Sequence, residues 1–196
     1  MKRTEISTGA LLLFSIVFFF GGFSALAALF LSIAVHELGH ISAIRLFGGR
    51  VQRLSVDVSG LCITFTGITE PTKEIITLLS GPLAGLALAF AASYFGRSTQ
   101  NTVLLKTAGL SLVLSLYNLL PALPLDGGRA LERMTQCFFG ATAAKRLTDI
   151  GGVISGLGLC VLGLVFSGRM FGLALFGAGL VLLFAQTGLV KSFGMI

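Results

Sequence analysis

The stretch from Val35 to His40, VHELGH, carries the residues of this chain best suited to chemistry. On a helix His36 and His40 are one turn apart on one face, a spacing that lets two imidazole nitrogens bind one metal ion. Glu37, beside the first histidine, reaches a metal-bound water without being a ligand, and it can pass that water's proton to a leaving amine. The chain has only 2 His, and random placement would produce this triplet on the order of once in 4,000 arrangements. Ionisable groups inside an apolar run are costly, and where they occur they usually mark function. A simple pair of helix-interface histidines is therefore a poor account of them.

Two histidines do not complete a catalytic zinc site, which normally has three protein ligands and a water. There is no third His. Cys62, Cys137 and Cys160 are scattered, forming neither a C-x-x-C pair nor a disulfide framework. The third ligand must be a carboxylate from Glu5, Asp57, Glu70, Glu74, Asp126, Glu132 and Asp149. Glu5 is terminal, and Glu132 and Asp149 sit among basic residues and read as solvated charges. Asp126 lies in PALPLDGGRA, where Pro121 and Pro124 interrupt a helix and Gly127 and Gly128 would let the backbone turn sharply. Non-helical backbone at membrane depth is tolerated where it lines a cavity, so this is a plausible place for a ligand. Glu70 and Glu74 remain alternatives, with Glu74 better suited to a helix start.

The elements that must position these residues are apolar. The 196 residues are 55% hydrophobic and 11% charged, against about 25% charged in soluble domains. This composition predicts an all-α polytopic membrane protein of one domain, 1–196, with about six transmembrane helices. No charge occurs from Gly9 to Val35, a run too long for one span, so a helical hairpin turning near Gly21 and Gly22 is expected. Further spans are expected at Ile75–Phe95, where Gly81-Pro82 could introduce a kink, and at about 102–120, 147–166 and 170–190. Gly158, Gly163, Gly172 and Gly177 suggest tight packing of the last two. Residues 50–68 alternate like two short strands with a turn near Ser59-Gly60, which predicts a small interfacial β-hairpin. With the N-terminus in the cytoplasm, eleven of the 14 basic residues fall on the cytoplasmic side, and Arg97, Lys106 and Arg169 on the other. The net charge of +6 thus reads as membrane topology, and the absence of basic runs interleaved with aromatics sets nucleic acid aside.

HELGH at 36–40 and NLLPALPLDGGR at 118–129 together resemble the site-2 protease family (peptidase M50), the intramembrane zinc metalloproteases. The resemblance implies His36, His40 and Asp126 as ligands of one Zn2+ per chain, Glu37 as catalytic base and Asn118 as a substrate-binding group. SGPLAG at 80–85 is similar to the family's Gly-Pro segment, although many members carry Asn where this chain has Gly85. The likeness covers a catalytic core of about 9–135, and the two helices at about 147–190 carry no motif. The compact layout resembles the branch of stage IV sporulation protein FB. It implies regulated intramembrane proteolysis of a membrane-tethered protein such as a pro-sigma factor, within a lipid bilayer and under membrane-protein inhibitors or regulators. The implied location is the cell membrane, with the N-terminus and active-site opening facing the cytoplasm. The 50–68 hairpin could offer an edge to an unwound substrate. The rival reading is a zinc transporter or sensor without hydrolysis, which leaves Glu37 and the Asp-Gly-Gly turn unexplained. A scaffold with a decayed site is disfavoured because every matched polar residue is present. A serine intramembrane protease is disfavoured because both histidines are spent in one helical turn.

Overall fold

The computed structural model describes residues 8–57, 60–168 and 170–186, with side chains described for most of them. Five helices and one hairpin follow in order: α1 (Thr8–Leu46), β1 (Arg50–Asp57), β2 (Gly60–Thr66), α2 (Pro71–Ser98), α3 (Thr102–Asn118), α4 (Asp126–Val165) and α5 (Met170–Gln186). The chain divides into two compact units, Met1–Asn118 and Leu119–Ile196.

In the first unit α1 packs on α2 and α3, and α2 on α3. At the place expected for a hairpin turn, Gly22 has φ 70° and ψ −173°, a break separating two helical stretches within α1. Only glycine adopts that backbone without steric cost. Lys106 of α3 meets this break, its Nζ donating to Ser24 Oγ at 2.6 Å. Helix α2 begins where local chemistry favours it, with Pro71 in the first turn and Glu74 as the first-turn acid. Asn101 then caps α3, its Oδ1 accepting from Val103 N at 2.9 Å and Leu104 N at 3.2 Å. Pro82 lies inside α2, which runs on to Ser98.

The hairpin forms over the expected range. β1 and β2 pair antiparallel from Arg50↔Thr66 to Asp57↔Gly60, with an irregularity between Val51 and Arg53. The expected turn at Ser59-Gly60 falls partly outside the described residues. So do the far end of the last span (187–190) and the charges Lys2, Arg3, Glu5, Arg169 and Lys191.

In the second unit α4 packs on α5. α4 is broken at Gly140, with φ 82° and ψ 170°. Packing through small residues lets the helix backbones approach closely, but only two of the four expected glycines serve it. A Cβ at Gly163 would meet the Phe176 backbone and one at Gly172 the Phe166 carbonyl, whereas Gly158 and Gly177 face open space. Gly156 and Gly179 take their place, against Leu183 and Cys160.

Among the described residues, three helical segments are long and apolar enough to cross a membrane: Gly21–Leu46, Pro71–Ser98 and Asp126–Val165. Thr102–Asn118 and Gly172–Gln186 are apolar but shorter. The chain is an integral membrane protein. The six spans counted in the sequence exceed the three that meet this length, the others falling on α3, α5 and the part of α1 before Gly22.

Candidate metal centre

Ser32, His36 and His40 lie on one face of α1, with 0%, 4% and 6% of their surface exposed. Leu38 on another face is exposed, so the helix turns its polar side inward. The two imidazoles are nearly perpendicular, 77° apart with centroids at 5.0 Å. Their Nε2 atoms are 3.3 Å apart. Two nitrogens bound to tetrahedral zinc at about 2.0–2.1 Å would stand roughly 3.3–3.4 Å from each other. The pair therefore has the spacing that the ion requires.

The tautomer of His40 follows from its other nitrogen. Nδ1 lies 2.8 Å from the carbonyl oxygen of Thr77 on α2. A carbonyl only accepts, so Nδ1 carries the proton and Nε2 presents its lone pair. The same carbonyl accepts a second bond from Ser80 Oγ at 2.6 Å. Thr77 is itself buried, its Oγ1 donating to Lys73 O at 2.8 Å. Such carbonyl partners orient a metal-binding histidine and raise its basicity.

The glycines of α2 have a definite task here. A Cβ on Gly81 would collide with the ring of His40. Facing it on α1, a Cβ on Gly39 would lie 2.6 Å from Ser80 O and 2.8 Å from Ala84 Cβ. Gly85 makes room instead for Ser115 of α3, whose fully buried neighbour Ser111 donates to Gly85 O at 2.8 Å. Gly81 and Gly85 thus seat an imidazole and a hydroxyl. Thr77 and Ser80 were missed. Their signal was two hydroxyl residues three apart in an apolar span, immediately before Gly81-Pro82.

Glu37 follows His36 on α1 and is half-buried. Asn118 ends α3, its Nδ2 donating to Leu114 O at 2.9 Å. Asp126 opens α4 in the second unit, as the acid of that helix's first turn. Gly127 and Gly128 are not a sharp turn as expected, because both lie inside α4. They are needed for close approach: a Cβ on Gly127 would strike the Leu119 carbonyl, and one on Gly128 the Ala122 carbonyl. Each of the three residues offers a metal-ligating atom: His36 and His40 are buried imidazoles of the first unit, and Asp126 is a half-buried carboxylate of the second. The alternative carboxylates have other roles. Glu70 is exposed and paired with Lys73 at 2.6 Å, and Glu74 is the helix-start charge of α2.

Residues 8–123 match the family described as Peptidase M50B-like. The chain belongs to that family. The M50B-like segment contains His36, Glu37, His40 and Asn118 and stops just short of Asp126. A zinc metalloprotease of Methanocaldococcus jannaschii is 28% identical over 129 residues, covering 61% of this chain and 36% of that protein. Stage IV sporulation protein FB of Bacillus subtilis is 34% identical over 122 residues, covering 57% and 40%. The matches thus span two fifths or less of these relatives' own length. The fold is similar to that of a site-2 protease from Methanocaldococcus jannaschii, with TM-score 0.69 at 20% identity, covering 90% of this chain and 84% of that one.

Proposed function

We propose that this M50B-like chain is a zinc-dependent endopeptidase that cuts a membrane-tethered protein in or near its transmembrane segment. The observation that carries the reading is the buried imidazole pair, 3.3 Å between Nε2 atoms, with His40 held by the Thr77 carbonyl. His36, His40 and Asp126 are assigned as ligands of one Zn2+. When bound, zinc lowers the pKa of its water toward neutrality and polarises the scissile carbonyl. The carboxylate of Glu37 accepts a proton from the attacking water and returns it to the leaving amine nitrogen. Asn118 Nδ2 gives one N–H to Leu114 O, which leaves its second N–H and Oδ1 to hold the unwound substrate backbone. The strand pair at 50–68 offers that substrate an edge.

The likeness to a zinc metalloprotease supports zinc proteolysis, and the likeness to stage IV sporulation protein FB directs the search for a substrate to sporulation. The distribution of basic residues supports an N-terminus and active-site opening on the cytoplasmic side. The whole chain, 1–196, acts in this reading as one domain with its core at about 9–135.

The test is Glu37→Gln in liposomes with a membrane-tethered substrate. Cleavage is expected to fall by about 10²–10⁴-fold while zinc content stays at the wild-type level. Undiminished cleavage refutes the assignment. Zinc flux across the liposome that survives Glu37→Gln, with no cleavage by the wild type, supports a transporter instead.

A further inference from the structure

The last helix carries a single polar side chain. α5 reads MFGLALFGAGLVLLFAQ, and Gln186 is its final residue. A primary amide removed from water needs a partner, or it costs a few kcal/mol. Gln186 finds one far away in sequence: Nε2 donates to Leu123 O at 2.9 Å. Its amide lies against α4 at Gly152, where a Cβ would collide with Cδ, Nε2 and Oε1 of Gln186. The neighbouring Gly151 receives the loop itself, since a Cβ there would strike the Pro121 carbonyl.

Leu123 lies in the loop from Leu119 to Leu125 that delivers Asp126. The loop's own backbone bonds are few: Ala122 N to Leu120 O at 2.8 Å and Leu125 N to Ala122 O at 2.9 Å. Between them stand Leu123 and Pro124, and proline has no N–H to contribute. The Gln186 amide therefore grips the loop where its own hydrogen bonding is thinnest, three residues before Asp126.

We propose that Gln186 is a positioning residue for Asp126, and that α5 thereby fixes where the carboxylate stands. The proposal rests on the reading of Asp126 as a metal ligand. It gives a task to a helix without a motif, and it explains why Gly152, which seats the amide, has no side chain.

The test is a double-mutant cycle on zinc affinity, measured with the full chain in detergent by competition against a chromophoric chelator. Gln186→Met keeps the length and removes the donor. Gly152→Ala keeps the donor and displaces it, which covers the case that the first variant does not fold. Outer-shell changes at metal sites typically cost 10–100-fold in affinity, and each variant is expected to weaken zinc by about 10-fold. In an Asp126→Asn background the same changes should have no further effect, because the ligand they position is gone. General loosening of the helices would instead weaken zinc equally in both backgrounds, which overturns the proposal. Wild-type affinity in Gln186→Met or in Gly152→Ala also overturns it. If Asp126→Asn alone leaves affinity unchanged, the ligand assignment itself fails, and the proposal with it.

Discussion

The histidines and the aspartate are held in different ways. His36 and His40 sit on one uninterrupted stretch of α1, so helix geometry alone sets their spacing. A carbonyl of α2 then sets the tautomer of His40, and Gly81 seats its ring. Asp126 sits at the junction of a seven-residue loop and a helix, where no periodicity fixes its position. There the work falls on contacts: Gly127 and Gly128 against the loop carbonyls, Gly151 against Pro121, and Gln186 on Leu123. The histidine pair is fixed mainly by its own secondary structure, the aspartate by what packs around it.

The largest effect that can test this contrast is His40→Ala. It removes a proposed ligand from the rigid part, and zinc affinity should fall by more than the roughly 100-fold that outer-shell changes reach. Retained zinc in equilibrium dialysis would rule out the histidine pair as the anchor. Next comes Gly127→Ala. The new methyl would press on the Leu119 carbonyl, which is backbone and cannot swing aside. Zinc affinity should drop about 10–100-fold, with a lower thermal midpoint, because overpacking typically costs about 1–3 kcal/mol. Unaltered affinity and midpoint would show that the loop is not held by this contact.

Ser80→Ala probes the rigid part more gently. It removes one of the two side-chain hydrogen bonds on the Thr77 carbonyl and leaves the His40 bond in place. A loss of no more than about 10-fold in zinc affinity is expected, and a loss as large as that of His40→Ala would mean that Ser80 has a more direct role. The smallest effect should come from Gly158→Ala, where the methyl enters open space on α4. Alanine favours a helix over glycine by about 1 kcal/mol, so thermal stability should stay level or rise slightly. A marked loss would reveal an unrecognised contact.

The same contrast explains what could be read in the sequence. The shared face of His36 and His40 was legible because the period of a helix turns spacing into geometry. The hairpin at 50–66 was legible from alternation, and the Gly22 break from a run too long for one span. The true role of Gly127 and Gly128 was not, because composition cannot tell a glycine needed for its dihedrals from one needed for close approach. Gly158 and Gly177 misled for the same reason: a glycine in an apolar helix suggests packing, but only the rotation of the helix decides whether it faces a neighbour. Thr77 and Gln186 act through contacts across 37 residues to His40 and 63 residues to Leu123, respectively. No local pattern encodes such partners.

The most direct test of the central claim is zinc titration into chelator-stripped protein, with cleavage of a membrane-tethered substrate and bound zinc measured on the same sample. Cleavage should be absent from the stripped chain, return in proportion to bound zinc and saturate at one ion per chain. Cleavage that persists without zinc, or zinc that returns to one ion per chain with no cleavage of any membrane-tethered substrate offered, would contradict the account.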